Sequence, residues 1–189
     1  QSQRLSIEAD PTFFEERPYG GMNGLKAARS IALLSYRNEG IYNKTQAETD
    51  NRKTDGLNAS SYQNYQGDKL VKRFDAYSYY ALTRLMDTHN IVRDRGSLRD
   101  ACGQIEANVL SIGISSDLIF PTHEQKLLAH MTHGEYREIE SYYGHDGFLI
   151  ETDKLNVLIK DFWKRNHQEI YSEPPAEEVS LKLEWSKSA

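Results

Sequence analysis

A carboxylate and an imidazole held in contact make a proton-transfer pair, and two neighbouring segments of the chain offer the parts of one. Ser116 and Asp117 follow an apolar run, and His145 and Asp146 sit in a polar loop after the next extended segment. If both segments are parallel strands of one sheet, their carboxyl ends share an edge, and that edge is where sites form in open α/β sheets. Asp117 and His145 are 28 residues apart, enough for a helix between the strands. In a nucleophilic triad the carboxylate orients the imidazole and stabilises its charged form, while the imidazole takes a proton from the nucleophile.

Each residue also has a plainer reading. Asp117 can be a helix N-cap or loop carboxylate ahead of Pro121. His145 can be an ordinary polar loop residue. The pair at two strand ends, acid before imidazole, favours function. Where that order occurs in α/β enzymes, the nucleophile comes earlier in the chain, on a G-x-S-x-G elbow. No serine here has glycine at both −2 and +2: Ser111 has Gly113 after it but Val109 before it. Cys102 lies in a charged helix end rather than after a strand. The nucleophile is therefore expected outside these 189 residues.

The elements that must position these groups follow from periodicity. Residues 10–24 carry Pro11, Pro18, Gly20, Gly21 and Gly24, the punctuation of a loop. Leu25, Ala28, Ile31 and Ala32 predict a helix over Met22–Arg37, ending near Gly40. Residues 43–61 are polar and predict a mobile loop. From Tyr62 to Asn90 helical spacing returns, through Leu70, Phe74, Tyr77, Ala81 and Leu85. Residues 91–103 allow a short helix stopped by Gly103. Residues 108–115 (NVLSIGIS) read as a buried parallel strand, Pro121 opens a helix to about His133, and residues 135–141 (EYREIES) form a second strand. A tight loop over 142–147 precedes a final amphipathic helix over Phe148–Asn166. The expected domains are a helical lid or cap over 1–103, a strand-helix-strand-helix part over 104–170 and a flexible tail over 171–189. Two parallel strands cannot bury themselves, so further strands are expected to be missing.

Composition narrows the function. With 23 Lys+Arg against 28 Asp+Glu the chain is mildly acidic, against the basic excess of a nucleic-acid binder. No apolar run is long enough to span a membrane. No signal peptide is visible at Gln1–Asp10, and the absence of an initiator Met predicts a start within a longer protein. A single cysteine suits a reducing compartment, which points to the cytoplasm.

Four motifs, in order, resemble those of the homoserine O-acetyltransferases of the α/β-hydrolase superfamily. Residues 115–121 (SSDLIFP) are similar to that family's S-D-x-L-F-P segment, and residues 143–149 (YGHDGFL) to its Y-G-H-D-A-F-L, with Gly147 in place of the usual Ala. Residues 65–69 (YQGDK), then Arg73-Phe74-Asp75 and Tyr79, resemble the lid segment, and residues 82–89 (LTRLMDTH) resemble L-T-x-A-M-D-x-H. Ala28-Arg29 through Ser35-Tyr36 resembles a further helix, and the likeness runs from Glu8 to about residue 165. The resemblance implies the C-terminal part of an α/β-hydrolase fold with a helical lid, holding the last two parallel strands and flanking helices.

It also implies a two-step transfer of acetyl from acetyl-CoA, through a serine, to the hydroxyl of L-homoserine in methionine biosynthesis. Asp117 and His145 would be acid and base. Asp146 would face the substrate amino group and Arg29 its carboxylate, a partner suited to a planar guanidinium. Tyr36, on the same helical face as Arg29, would line the pocket or simply pack. Acetyl-CoA would be a co-substrate, with no permanently bound cofactor and no metal. Partners would be the missing N-terminal segment and a second copy joined through the lid, with no nucleic acid or membrane. This chain alone would be inactive. Rival readings are a succinyl donor or serine acceptor on the same fold, a plain esterase, and a non-catalytic helical dimerisation fragment.

Other features have weaker claims. His123, His130 and His133 fall near one face of a predicted helix, but a metal site needs supporting ligands. The cluster of Tyr62, Tyr65, Tyr77, Tyr79 and Tyr80 reads as interface or as core. Arg93, Arg95 and Arg99 can meet coenzyme phosphates or form a solvated face.

Overall fold

The computed structural model describes residues 1–167. The expected tail over 171–189 lies outside the described residues.

The helical region is built on α1 (Ser2–Glu8), the single-turn α2 (Thr12–Glu15), α3 (Met22–Tyr36), α4 (Glu39–Gln46), α5 (Asn58–Val71), α6 (Ala76–Thr88) and α7 (Leu98–Gly103). α3 is the hub, packed on α1, α5 and α6. Its Leu25 and Ala28 are fully buried with Ile7, Phe13, Leu70 and Ala76, and the small alanines let neighbouring helices approach closely. Phe13 stacks on Tyr77 with ring centroids 4.7 Å apart, so part of the tyrosine cluster fills core here.

The turn before α3 is held by one buried carboxylate. Asp10, 7% exposed, accepts hydrogen bonds from the Thr12 amide and hydroxyl and from the amides of Asn23 and Gly24. Burial raises the pKa of Asp10, but the hydrogen bonds from Thr12, Gly24 and Asn23 outweigh it and hold the group below its ordinary value. A depressed folded-state value stabilises the fold above the unfolded-state pKa and ceases to do so as pH falls through the folded one. The urea midpoint of the chain is therefore expected to fall on acidification below about pH 4. Asp10→Asn should be less stable at pH 7 and show a shallower acid loss, and an unchanged acid slope would remove Asp10 from this role.

Three expectations change in the helical region. The segment 62–90 is two helices, because the Asp75 carboxylate accepts from the Ser78 amide at 2.7 Å and starts α6 afresh; an aspartate at such a position competes for the backbone and restarts the helix. The polar stretch 43–61 is not one loop: its first residues belong to α4 and its last to α5. Between them Glu48 gathers the chain, accepting from the amides of Thr49, Asp50 and Asn58 and pairing with Lys53 at 2.8 Å. Lys53 leads the interactions that bring Glu48 down to about 2. Local charge and hydrogen bonds order this segment where apolar contacts are lacking. The loop over 10–24 likewise includes the turn of α2.

β1 (Leu110–Ile114), α8 (Thr122–Met131) and β2 (Glu135–Ile139) complete the first compact unit with the short α9 (Gly147–Ile150). β1 and β2 pair in parallel from Leu110↔Glu135 to Ile114↔Ile139. Both strands are shorter than the expected 108–115 and 135–141. α8 packs on both strands, and Ala129 of α8, Ile114 of β1 and Ile139 of β2 are all buried. Among the described residues this is a two-stranded sheet.

The helix expected over 148–166 is interrupted. Glu151 leaves the helical region with ψ 40°, and the chain restarts as α10 (Thr152–Asn166). α10 belongs to a second unit, which begins at Thr152. Asp153 lies in its first turn and Lys164 and Arg165 in its last, the arrangement the helix dipole favours. Asp161 and Arg165 pair at 3.0 Å one turn apart.

Candidate active site

Beyond β1 the chain turns sharply, with the Asp117 amide donating to the Ile114 carbonyl at 3.1 Å. Asp117 is buried, and its two carboxylate oxygens do different work. Oδ1 accepts from the amides of Ile119 and Phe120 at 2.8 and 3.0 Å. Oδ2 lies 2.9 Å from His145 Nδ1. The plain loop-carboxylate reading and the functional one thus describe the same residue, one oxygen each. Because Oδ2 is an acceptor, Nδ1 carries the proton and donates it, leaving Nε2 with a free lone pair. That is the tautomer a general base needs.

His145 lies in a 3₁₀ turn over Gly144–Asp146. Three aromatic rings collar it, those of Tyr36, Phe120 and Phe148, with centroids 5.4, 5.3 and 5.5 Å from the imidazole. The turn docks on the C-terminal end of α3 through Gly144, which has φ +62°. A Cβ there would lie 2.7 Å from the Tyr36 carbonyl oxygen and 2.8 Å from the Asn38 amide nitrogen. Only a glycine fits both the backbone angle and the approach.

A cavity of about 530 Å³ opens beside the imidazole. Arg4, Ser35, Tyr36, Tyr79, Phe120 and His145 are among the residues that line it. A wider recess of about 840 Å³ by Tyr19, Phe74 and Leu82 touches neither Asp117 nor His145; a larger space without the proton-transfer pair has no claim to the chemistry. Ser35 is the serine lining the smaller cavity, but its hydroxyl donates to the Ala32 carbonyl at 2.9 Å. Among the described residues no serine hydroxyl is hydrogen-bonded to His145.

The other sequence candidates fall nearby in unequal ways. Tyr36 lines the cavity. Arg29 stacks over the Tyr36 ring with its guanidinium carbon 5.2 Å from the centroid, and it is not among the cavity-lining residues. Asp146 faces Arg37, Oδ2 to Nε at 3.4 Å. That nitrogen makes no hydrogen bond of good geometry, so the contact is a charge pair rather than a directed bond. Sequence reasoning missed Arg37 and the Phe120 and Phe148 rings of the collar, and it named Ser116 beside Asp117 without giving it a role. Both serines and Phe120 lie inside the quoted segment over residues 115–121, and Phe148 inside that over residues 143–149, so all but Arg37 left a trace in the motifs.

The remaining clusters dissolve. α8 ends at Met131 and His133 has φ +53°, so the three histidines do not share one helix. Arg93 donates to the Thr88 carbonyl at the end of α6, and Arg95 to the Ile91 carbonyl in the turn beyond it.

No family model matches the chain. Its sequence is 43% identical over 168 residues to a homoserine O-acetyltransferase of Cyclobacterium marinum, covering 88% of this chain and 48% of the relative. Proteins of the same name from Chloroherpeton thalassium and Thermus thermophilus are 37% and 38% identical over 171 and 161 residues, covering 87% and 84% of this chain and 44% and 40% of the relatives. The chain spans about half the length of the curated relatives it matches. Among solved structures, a homoserine O-acetyltransferase from Bacillus anthracis superimposes with TM-score 0.72 at 21% identity, over 87% of this chain and 47% of that one. Esterase E22 matches with TM-score 0.72 at 15% identity, over 85% and 48%. At these identities the likeness is one of fold, that of part of an α/β-hydrolase.

Proposed function

We propose that this chain, a homologue of the homoserine O-acetyltransferases, supplies the acid and base of an acetyl transfer from acetyl-CoA to L-homoserine. The observation that carries the reading is the Asp117–His145 hydrogen bond at the carboxyl ends of two neighbouring parallel strands. In the full-length protein a serine from outside these 189 residues meets His145 Nε2. Nε2 takes the hydroxyl proton as the serine oxygen attacks the thioester carbonyl. The tetrahedral intermediate collapses, the C–S bond breaks, and the proton passes to the departing thiolate. Nε2 then takes the proton of the homoserine hydroxyl, which attacks the acetyl-serine ester, and returns that proton to the serine. Asp117 holds the ring throughout and stabilises its transient positive charge.

Within this reading Asp146 contacts the substrate amino group and Arg29 its carboxylate. Arg37 competes for Asp146, so binding of an ammonium group exchanges one cation partner for another. Tyr36, whose ring the Arg29 guanidinium covers, lines the cavity. The reaction needs no metal and no resident cofactor. The helical region forms a lid that joins two copies, and α6 presents Leu82, Leu85 and Met86, each at least half exposed, for that contact. The protein acts in the cytoplasm. Among the described residues no helix is long and apolar enough to cross a membrane.

The test is an assay of the full-length protein for CoA thiol release. Acetyl-CoA with L-homoserine should give turnover; succinyl-CoA, or L-serine as acceptor, should give little. Preference for succinyl-CoA would move the assignment to another acyltransferase of this fold. Hydrolysis of p-nitrophenyl acetate with no response to L-homoserine would make the protein an esterase.

A further inference from the structure

The backbone ladder between β1 and β2 ends at Ile114↔Ile139, with one more bond from the Ser115 amide to the Ile139 carbonyl at 3.0 Å. Beyond it, side-chain hydroxyls take over. Ser115 Oγ accepts from the Ser141 amide at 3.0 Å and donates to the Ser141 carbonyl at 3.2 Å. Ser116 Oγ accepts from the Gly144 amide at 2.9 Å. Ser141 Oγ in turn accepts from the Tyr143 amide at 3.2 Å. Each hydroxyl bridges the two strand-end loops or braces one of them. The final bridge joins the residue before Asp117 to the residue before His145.

We infer that Ser115 and Ser116 form a hydroxyl latch that extends the sheet past its backbone end, and that Ser116 is the positioning residue for the Asp117–His145 contact. Gly144 is buried, so its amide must find an acceptor, and Ser116 supplies it. Without that acceptor the amide must move to find another, and the 3₁₀ turn carrying His145 moves with it. The imidazole collar of Tyr36, Phe120 and Phe148 restrains the ring laterally but offers no hydrogen bond to fix its height above Asp117. Misplacement of a catalytic group by about 1 Å costs on the order of 10²-fold. Its link to turnover rests on the acyl-transfer reading above; its link to ring geometry does not.

The experiment pairs two readouts. Acetyl transfer from acetyl-CoA to L-homoserine is measured on full-length wild type, S116A and S116T. The imidazole tautomer is read by ¹⁵N NMR on the same proteins. S116A should lose about 10- to 100-fold in kcat with little change in KM for either substrate, and S116T should recover most of it. The Nδ1–H form of His145 should dominate in wild type and S116T and give way to mixed tautomers in S116A. Normal kcat and an unchanged tautomer in S116A would overturn the latch, as would lost kcat with the tautomer unchanged. If the wild type transfers no acetyl group, the functional reading fails, and the NMR comparison alone decides the latch. Should S116A fail to fold, S116C, whose sulfur is a weaker acceptor of similar size, should show the same tautomer loss, and a wild-type spectrum there would equally overturn the latch.

Discussion

Asp117→Asn is expected to lower acetyl-transfer turnover of the full-length protein by about 10⁴-fold, the loss typical when a triad carboxylate becomes an amide with geometry intact. The division of labour between its oxygens explains why the change should be clean. Asn retains Oδ1, so the amides of Ile119 and Phe120 keep their acceptor and the loop keeps its shape. The amide nitrogen that replaces Oδ2 is a donor, and it meets His145 Nδ1 at a position now requiring an acceptor. The imidazole must place its proton on Nε2, which can then no longer accept one. His145→Ala removes the base outright and should be comparably inactive. CoA thiol release with a thermal melt on each variant makes the comparison. A near-normal kcat in either variant would dismiss the triad assignment, and a collapsed melt in Asp117→Asn would show that the carboxylate is chiefly structural.

Gly144→Ala should destabilise the protein and silence it together. The left-handed backbone angle costs a residue with a Cβ about 1–2 kcal/mol. The new Cβ also overlaps backbone atoms of Tyr36, Arg37 and Asn38, which cannot rotate away as a side-chain tip would, adding about 1–3 kcal/mol. For a protein of this size or larger the two together lower Tm by very roughly 5–15 °C. Relief requires the turn to lift off α3, and His145 travels with it. A melt within 2 °C of wild type and undiminished turnover would contradict the close docking of the turn on α3.

Some of this fold was legible because its signals are local. The alanines and leucines of α3 repeat at helical spacing, and the observed helix begins at the expected Met22. The apolar run 108–115 contains β1, and Pro121 immediately precedes α8. Where a polar side chain competes for the backbone, periodicity misleads. Helical spacing continues smoothly through Arg73, Phe74 and Asp75, yet the Asp75 carboxylate restarts the helix. The polar residues before Asn58 carry no apolar period, yet Glu48 and Lys53 order the chain there.

The site divides along the same line. The residue types, their order and their place after two extended segments are properties of the chain itself, and they named Asp117 and His145 as a possible pair. The motifs that resemble those of the homoserine O-acetyltransferases are likewise linear strings, readable before any packing is known. The 2.9 Å contact itself, the sharing of Asp117 between a loop and an imidazole, and the Arg37 that faces Asp146 were decided by tertiary structure. So were the two serines that bridge the strand ends. Periodicity and motif report what each segment prefers alone. Hydrogen bonds between residues 28 positions apart depend on the register of two strands and on the docking of a turn against α3, and those are fixed only when the segments pack.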